Sequence, residues 1–221
     1  MPPVLQFMNE LHRPKGSRPA RRAPCPPGGP GLAFCSLAGG DAVSVAAARL
    51  RAVGISGSPA ATSKSRTLVA YALAQLEAGG AAARLVDLAT LPADALLGRG
   101  VAPQVADALA AVAEARIVVA GTPVYRATYS GLLKAFFDLL PQGGLTGKVG
   151  IPLVTGHGVA HSLAVDHGLR PLFASVGAMV VANAVYASGE QFRDGQPAAE
   201  LRSAVDRAVQ EALALAGAGI D

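Results

Sequence analysis

The chain of 221 residues has no tryptophan, only two cysteines and few aromatic residues, which make up 5% of it. Cys25 and Cys35 have no cysteine or histidine at a ligand spacing beside them, so the sequence indicates neither a disulfide framework nor a zinc site. No uninterrupted apolar run of about 18 residues occurs, so no membrane-spanning helix is expected. A chain of this length, 51% of it hydrophobic, can instead bury one sizeable core.

Excess charge is confined to the N-terminal segment. Residues 1–50 contain six lysines and arginines and two acidic residues, whereas residues 51–221 contain 13 residues of each sign. The whole net charge of +4 therefore belongs to the first 50 residues. Recognition of nucleic acid needs a basic surface on the folded part, so no nucleic-acid partner is expected.

The N-terminal segment is dominated by proline, glycine and arginine, as in "RPKGSRPARRAPCPPGGPG". It has too little apolar surface to offset the entropy of ordering, which predicts a disordered extension over residues 1–50. Prolines, rather than an apolar stretch, follow Arg21-Arg22 and disfavour a secretion signal. An organelle transit peptide and a dispensable extension, read through from upstream, are the two alternatives. We favour the extension and expect a cytoplasmic protein.

Strand-like and helix-like patterns alternate beyond residue 50. The predicted strands cover residues 51–56, 83–88, 116–122, 148–155 and 178–186. The predicted helices cover residues 67–78, 104–115, 129–140, 161–176 and 198–217. This alternation predicts an α/β fold with a doubly wound, five-stranded parallel sheet and right-handed crossovers. Ligands of such sheets bind beyond the carboxyl ends of the strands, which directs attention to the loops after the first, third and fourth strands.

The loop after the first strand, "SGSPAATSKSRT" at residues 56–67, is rich in hydroxyl and cationic side chains. These are Ser58, Thr62, Ser63, Lys64, Ser65, Arg66 and Thr67. They lie at a predicted helix N-terminus, where free N–H groups and the helix dipole attract an anion, so we predict a phosphate site. The alternative is ordinary N-capping by serine. The GxGxxG and Walker A patterns are both absent.

The loop after the third strand lies within "VVAGTPVYRATYSGLLKAFFDLLP", residues 118–141. Pro123 cannot donate a hydrogen bond to a neighbouring strand and so ends the ladder. Backbone groups in such a turn can address the edge of a planar polar ring while a tyrosine covers its face. The alternative is that Tyr125 and Tyr129 pack as partly buried core residues.

The loop after the fourth strand, "TGHGVAH" at residues 155–161, contains two glycines that permit close backbone approach. His157 and His161 are four residues apart, but no carboxylate or cysteine completes a metal-ligand set and no nucleophile accompanies them. We therefore favour a loop that closes over a ligand.

The three loops together, "GSPAATSKS", "TPVYRATYSGLLKAFFDLLP" and "GKVGIPLVTGHGVAHSLAVDHGLRPLF", resemble the NAD(P)H-dependent FMN reductases of flavodoxin-like fold. The similarity is greatest to the subgroup that supplies reduced flavin to two-component alkanesulfonate and methanesulfonate monooxygenases. The specific part is T-P-V-Y-x-x-x-Y-S-G-x-L-K, within a resemblance that spans residues 51–215. It implies a flavodoxin-like FMN reductase domain over residues 51–217, with the sheet between two helix layers in an α/β/α arrangement.

The resemblance also implies which residues contact FMN. The phosphate would be bound by Ser58, Ser63, Ser65, Arg66 and the backbone of Thr67. The isoalloxazine would be contacted by Pro123, Val124 and Tyr125 and flanked by Thr155, Gly156 and Gly158. Many relatives carry arginine directly after Gly-Ser-x, where this chain has Ala60 and Ala61. Compensation of the phosphate charge would then rest on Lys64 or Arg66.

His167 stands at a place where the sulfonate-linked reductases carry one inserted residue, often tyrosine, in the fourth helix. The insertion produces a π-bulge at the tetramer interface near the flavin, and "AVDHGLRP" matches that place. The resemblance thus implies a π-bulge and a role for His167 as a modulator of flavin release. The alternative is a partly exposed helix histidine with no part in the reaction.

The implied reaction is hydride transfer from NADPH or NADH to FMN, after which reduced FMN leaves for a flavin-dependent monooxygenase acting on sulfonates. The chemistry belongs to the cofactor, so no catalytic acid or base is expected. Tyr125, Tyr129 and His167 would influence nicotinamide access. The family is usually dimeric or tetrameric, so a homo-oligomer is expected.

Three other functions fit parts of the sequence. A quinone, chromate or azo-dye reductase would retain FMN as a prosthetic group. A flavodoxin-type electron carrier is disfavoured by the absence of tryptophan and by the formally neutral charge of residues 51–221. A flavin-free interaction module would leave the hydroxyl-rich loop unexplained. No loop carries a recognisable clamp for a 2′-phosphate, so the sequence does not decide between NADPH and NADH.

Overall fold

Runs of β-branched and small apolar residues form a parallel sheet at the centre of the computed structural model, which describes residues 50–217. Its strands are β1 (Arg51–Ser56), β2 (Ala82–Asp87), β3 (Ile117–Pro123), β4 (Val149–Gly156), β5 (Met179–Val180) and β6 (Val185–Ser188). The strand order is β2-β1-β3-β4-β5, β6 also pairs with β4, and every pairing is parallel. The predicted parallel sheet is confirmed. Apart from Leu50, the expected N-terminal extension lies outside the described residues.

The helices that follow these strands are α1 (Lys64–Ala78), α2 (Ala93–Leu96), α3 (Pro103–Glu114), α4 (Gly131–Phe137), α5 (Arg170–Ser175) and α6 (Ala199–Gly217). A small antiparallel hairpin, β7 (Phe192–Arg193) and β8 (Gln196–Pro197), precedes α6. The sequence did not predict α2 or the hairpin, because segments of four and two residues are too short to show a period. Within residues 50–217, no helix is long and apolar enough to cross a membrane.

Helices cover both faces of the sheet because its inner strands are apolar on both sides. One buried cluster joins Val118 of β3 to Phe136 of α4 and Phe173 of α5. The other joins Val119, the next residue of the same strand, to α1 and to Val205 of α6. Neighbouring residues of one strand thus face different helix layers, which confirms the predicted α/β/α arrangement.

The fifth strand differs from its prediction, because residues 178–186 contain two short strands rather than one. The register advances by two residues between the pair Val149–Met179 and the pair Leu153–Val185. Extra residues therefore bulge out between β5 and β6.

Side chains from two helices bind the backbone of this bulge. Glu211 of α6 accepts hydrogen bonds from the N–H groups of Ala182 at 2.6 Å and Asn183 at 2.9 Å. Arg170 of α5 donates to the carbonyls of Val181 and Ala182, both at 2.6 Å. Burial raises the pKa of Glu211, but the hydrogen bonds from Asn183 and Ala182 outweigh it and lower the pKa overall. These side chains satisfy the backbone N–H and C=O groups that are not paired with β4 in the bulge, and so stabilise it.

The predicted helix over residues 161–176 is divided into three pieces. A 3₁₀ turn (Val159–Ser162) is followed by a π-helical segment (Val165–Leu169) and then by α5. His167 lies at the middle of the π-helical segment, so the implied π-bulge is confirmed.

The predicted helix over residues 129–140 is shorter at both ends. The Ser130 hydroxyl accepts a hydrogen bond from the Leu133 N–H at 3.1 Å, so Ser130 caps α4 and lies outside it. After α4 the hydrogen bonds change from the α-helical to the 3₁₀ pattern: the Leu139 N–H donates to the Phe136 carbonyl, three residues earlier, at 3.1 Å.

Candidate functional site

The carboxyl ends of β1, β3 and β4 lie side by side, and a backbone hydrogen bond joins the start of each of the first two loops to the neighbouring strand. The Gly57 N–H donates to the Gly121 carbonyl at 2.8 Å. The Val124 N–H donates to the Thr155 carbonyl, also at 2.8 Å. The structure therefore places the starts of the three predicted loops side by side at one edge of the sheet, which we call the rim.

The first loop ends at the N-terminus of α1, where Ser63 is the N-cap. Its hydroxyl accepts a hydrogen bond from the Arg66 N–H at 3.1 Å and lies 3.3 Å from the hydroxyl of the buried Ser65. Within residues 50–217, the N–H groups of Lys64 and Ser65 have no partner, and the first turn of α1 has no acidic residue. Free N–H groups, two hydroxyls and the positive end of a helix dipole fit a phosphate.

The backbone N–H of Thr67, one of the predicted phosphate contacts, is already used within α1. The Thr67 N–H donates to the Ser63 carbonyl at 3.0 Å, and the Thr67 hydroxyl donates to the same carbonyl at 3.2 Å. Thr67 therefore belongs to the interior of α1 and offers no free backbone donor. Ser58 is buried, and its hydroxyl accepts from the Ala60 N–H at 3.2 Å, which leaves the hydroxyl proton for another acceptor.

The two cations of this loop both have other partners. Arg66 Nε lies 2.8 Å from Oδ2 of Asp87, at the end of β2. Lys64 Nζ donates to the Gly189 carbonyl at 3.3 Å and lies 5.6 Å from the centroid of the Phe192 ring. Neither cation is held for a phosphate alone, so the backbone and hydroxyl donors would provide most of the anion binding.

A buried link joins the first loop to the second. The Ser130 hydroxyl, which caps α4, also donates to the Gly57 carbonyl. The Ser130 N–H in turn donates to Oγ1 of Thr122 at 2.9 Å, and both side chains are fully buried. Both residues belong to the T-P-V-Y-x-x-x-Y-S-G-x-L-K segment, and Ser130 before an apolar helix is a usual capping signal.

The second loop contains a tight turn formed by residues 125–128. The Tyr125 N–H donates to the Thr128 carbonyl at 2.8 Å, and the Thr128 N–H donates back at 3.3 Å. Both central residues are left-handed, Arg126 at φ 50° and Ala127 at φ 73°, as a type I′ turn requires. Neither is the glycine or asparagine that usually occupies such positions, so the turn is strained.

The turn limits how the second loop can contact a flavin ring. The N–H groups of Val124 and Tyr125 are both used within the rim, and Pro123 has none. The three residues predicted to contact the ring therefore offer it carbonyl oxygens and side chains but no free N–H donor. Tyr125 is 47% exposed, so its ring is accessible from the rim.

Replacing Ala127 with glycine is expected to stabilise the protein by about 0.5–1 kcal/mol, because glycine adopts positive φ without the steric cost that alanine incurs. Chemical denaturation measures the effect. Ala110→Gly, on the exposed face of α3, is the matched control and is expected to destabilise by about 1 kcal/mol. A loss of stability in both variants would contradict the assigned turn.

The third loop is held in place by Tyr186 of β6. The Tyr186 hydroxyl donates to the Gly158 carbonyl at 2.6 Å, and burial raises the pKa of Tyr186. A Cβ at Gly156 would lie 2.6 Å from the same hydroxyl and 3.0 Å from Cβ of His161. A side chain at residue 156 would therefore force Tyr186 to shift, whereas Gly158 has open space where its Cβ would lie.

The remaining polar groups of the third loop are its two histidines and Thr155. The His157 N–H donates to Nδ1 of His161 at 3.4 Å, a bond within the loop. The hydroxyl of the buried Thr155 has no partner among the described residues and is a further candidate to bind a ligand. Residues 50–217 contain no cluster of three or more histidine, cysteine, aspartate or glutamate side chains that could hold a metal.

Tyr186→Phe is expected to raise the dissociation constant of FMN about fivefold, because the third loop loses the hydrogen bond that fixes Gly158. Fluorescence titration with FMN measures it. Tyr71→Phe is the matched control, since the Tyr71 hydroxyl donates to Asp206 at 2.9 Å between α1 and α6, away from the rim. Equal losses of FMN affinity in both variants would contradict a local role for Tyr186.

His167 is exposed on the π-helical segment, and its neighbour Gly168 packs against the second loop. A Cβ at Gly168 would lie 2.4 Å from Oγ1 of Thr128 and 3.4 Å from Cδ1 of Tyr129. The π-helical segment thus touches the turn at residues 125–128 directly. A role of His167 in flavin release stays a prediction.

Comparison with known proteins agrees with this arrangement. A family model described as NADPH-dependent FMN reductase matches residues 50–193. The FMN reductase (NADPH) of Escherichia coli K12 is 36% identical over 146 residues, which are 66% of this chain and 76% of that protein. The NADH-dependent FMN reductase SfnF of Pseudomonas fluorescens Pf0-1 is 33% identical over 173 residues, which are 76% of this chain and 92% of that protein.

Solved structures show the same fold. The apo form of the NADH:FMN oxidoreductase EMOB is 34% identical, with a TM-score of 0.70 over 78% of this chain and 91% of that one. A flavodoxin from Streptococcus pneumoniae TIGR4, at 16% identity and a TM-score of 0.52, supports the flavodoxin-like fold alone. The predicted NAD(P)H:FMN oxidoreductase, with FMN and a nicotinamide as its cofactors, is confirmed: the chain belongs to the NADPH-dependent FMN reductase family.

Proposed function

We propose that this reductase uses FMN as a dissociable substrate and releases reduced FMN to a flavin-dependent monooxygenase, one acting on sulfonates. The observation that carries the proposal is that, among residues 50–217, both cations of the phosphate loop have other partners. Arg66 is paired with Asp87, Lys64 is bound to the Gly189 carbonyl, and Ala60 and Ala61 contribute no charge. Phosphate bound by neutral donors and a helix terminus is held less firmly than phosphate bound by arginine, which favours release.

FMN, when bound, would accept hydride from the nicotinamide, so the protein itself has to bind and orient rather than transfer protons. Ser63, Ser65 and the free N–H groups of the first turn of α1 would hold the phosphate. The second and third loops would bound the ring, with Tyr125 at its accessible side. The predicted domain over residues 51–217 contains all of these groups.

The relatives support both nicotinamides, since one is named FMN reductase (NADPH) and another NADH-dependent FMN reductase. The sulfonate link rests on the resemblance of the second loop and the π-helical segment to the two-component sulfonate enzymes. A homo-oligomer in the cytoplasm remains our prediction for the assembly and location of this chain.

The test is anaerobic oxidation of NADPH and NADH by protein freed of flavin, with and without added FMN. Oxidation is expected to require added FMN and to saturate with it, and gel filtration is expected to remove the flavin again. A protein that stays yellow after gel filtration, and that reduces quinones faster than free FMN, would instead be a reductase with FMN as a prosthetic group. That result would overturn the proposal.

A further inference from the structure

We propose that Arg126 binds the diphosphate of the nicotinamide dinucleotide, an inference that rests on the proposed function. Arg126 lies in the turn at residues 125–128, directly after the residues expected at the flavin ring. Its side chain is exposed, and within residues 50–217 it has neither a hydrogen bond nor an ion pair. An uncompensated guanidinium on the rim of a site for a polyanionic substrate is suited to phosphate oxygens.

The turn is anchored on both sides, so the position of Arg126 is fixed even though its side chain is exposed. Before the turn, the Val124 N–H donates to the Thr155 carbonyl at 2.8 Å. After it, the Ser130 N–H donates to the buried Thr122 hydroxyl at 2.9 Å. A guanidinium on an anchored backbone loses less entropy on binding than one on a mobile loop.

The backbone of the turn is held in an unfavourable conformation. Arg126 has φ 50° and Ala127 has φ 73°, and side chains other than glycine rarely adopt such values. Strain of this kind persists where the surrounding structure enforces it and is concentrated at binding sites. Residue 126 is exposed at this turn.

The diphosphate is the part of the nicotinamide dinucleotide that we expect within reach of Arg126. Hydride transfer requires the nicotinamide to lie against the flavin ring, beside Tyr125, and a single ribose separates the nicotinamide from the diphosphate. The phosphate of FMN is expected elsewhere, at the N-terminus of α1, where Ser63 and Ser65 lie. The 2′-phosphate of NADPH is further away, on the adenosine ribose beyond the diphosphate, so Arg126 should serve NADH and NADPH alike.

Arg126→Gln tests the assignment at saturating FMN, with Arg207→Gln as the matched control. Arg207 is an exposed arginine of α6 that likewise lacks a hydrogen bond or ion pair among the described residues. Arg126→Gln is expected to raise the KM for both NADPH and NADH about tenfold, with kcat and the KM for FMN little changed. The increase of the nicotinamide KM with ionic strength should also be weaker in Arg126→Gln than in the wild type.

Calorimetric titration with NADP⁺ and NAD⁺ gives the same comparison without turnover. If Arg126→Gln binds both NADP⁺ and NAD⁺ more weakly than the wild type while Arg207→Gln does not, the assignment is supported. If the two variants bind the nucleotides equally well, the assignment is overturned. If only the binding of NADP⁺ is weakened, Arg126 binds the 2′-phosphate and the proposed contact with the diphosphate is wrong. A wild-type protein that does not reduce added FMN would contradict the proposed function, and the titration would still decide whether Arg126 binds the dinucleotide.

Discussion

Gly121→Ala is expected to lower the free energy of unfolding by about 2–3 kcal/mol, the usual cost of overpacking a tight contact. Gly121 of β3 lies directly beneath the first turn of α1. An added methyl would lie 2.3 Å from Cγ2 of Val69 and 2.9 Å from the carbonyl oxygen of Ser65. The valine side chain can rotate, but the Ser65 carbonyl belongs to the helix backbone, so α1 itself has to move away from the sheet.

The same displacement is expected to raise the dissociation constant of FMN about tenfold, because the free N–H groups of Lys64 and Ser65 move with the helix. Urea denaturation and fluorescence titration with FMN measure the two effects. Gly100→Ala is the matched control, since no atom lies within 4 Å of a Cβ there, and both quantities should stay within error of the wild type. A destabilised Gly121→Ala protein with unchanged FMN affinity would show that α1 does not hold the phosphate.

The sheet and its helix layers could be predicted because each buried strand is apolar on both faces and each crossover has a clear helical period. The strand over residues 178–186 shows where such a pattern fails. Asn183 is its only polar residue, yet the chain bulges at Ala182, where Arg170 and Glu211 bind its backbone groups. Those partners come from two helices, and a local pattern contains no information about them.

That the three loops lie at one edge of the sheet could be predicted for a topological reason, since neighbouring parallel strands carry their following loops to the same edge. Which backbone N–H and C=O groups of the loops already have hydrogen-bond partners could not be predicted. Thr67 is a hydroxyl residue in a serine-rich loop, but its N–H begins the hydrogen bonding of α1. The turn at Arg126 and Ala127 could not be predicted either, because it lacks the glycine or asparagine that usually marks such a turn. Its conformation is enforced instead by the anchors on either side of it. Tyr186 was missed because its contact with Gly158 spans 28 residues.

Ser130→Ala is expected to destabilise the protein by about 3 kcal/mol, because one buried hydroxyl serves two backbone groups. It caps α4 by accepting from the Leu133 N–H at 3.1 Å, and it donates to the Gly57 carbonyl of the first loop. Loss of an N-cap costs about 1 kcal/mol, and a buried carbonyl left without a donor costs about 1–3 kcal/mol more. Since Ser130 is fully buried, water has no direct access to replace the missing hydroxyl.

The effect on FMN binding follows from the same link, because Gly57 immediately precedes Ser58 in the phosphate loop. Ser130→Ala should therefore weaken FMN binding as well as stability. Ser175→Ala is the matched control, since the Ser175 hydroxyl donates to the Leu172 carbonyl at 2.7 Å on an exposed helix end, and its removal should cost no more than about 0.5 kcal/mol. If Ser130→Ala costs as little as the control in urea denaturation, the two loops are not coupled through this hydroxyl. If it costs the full amount but leaves FMN affinity intact, the link supports the fold without shaping the phosphate site.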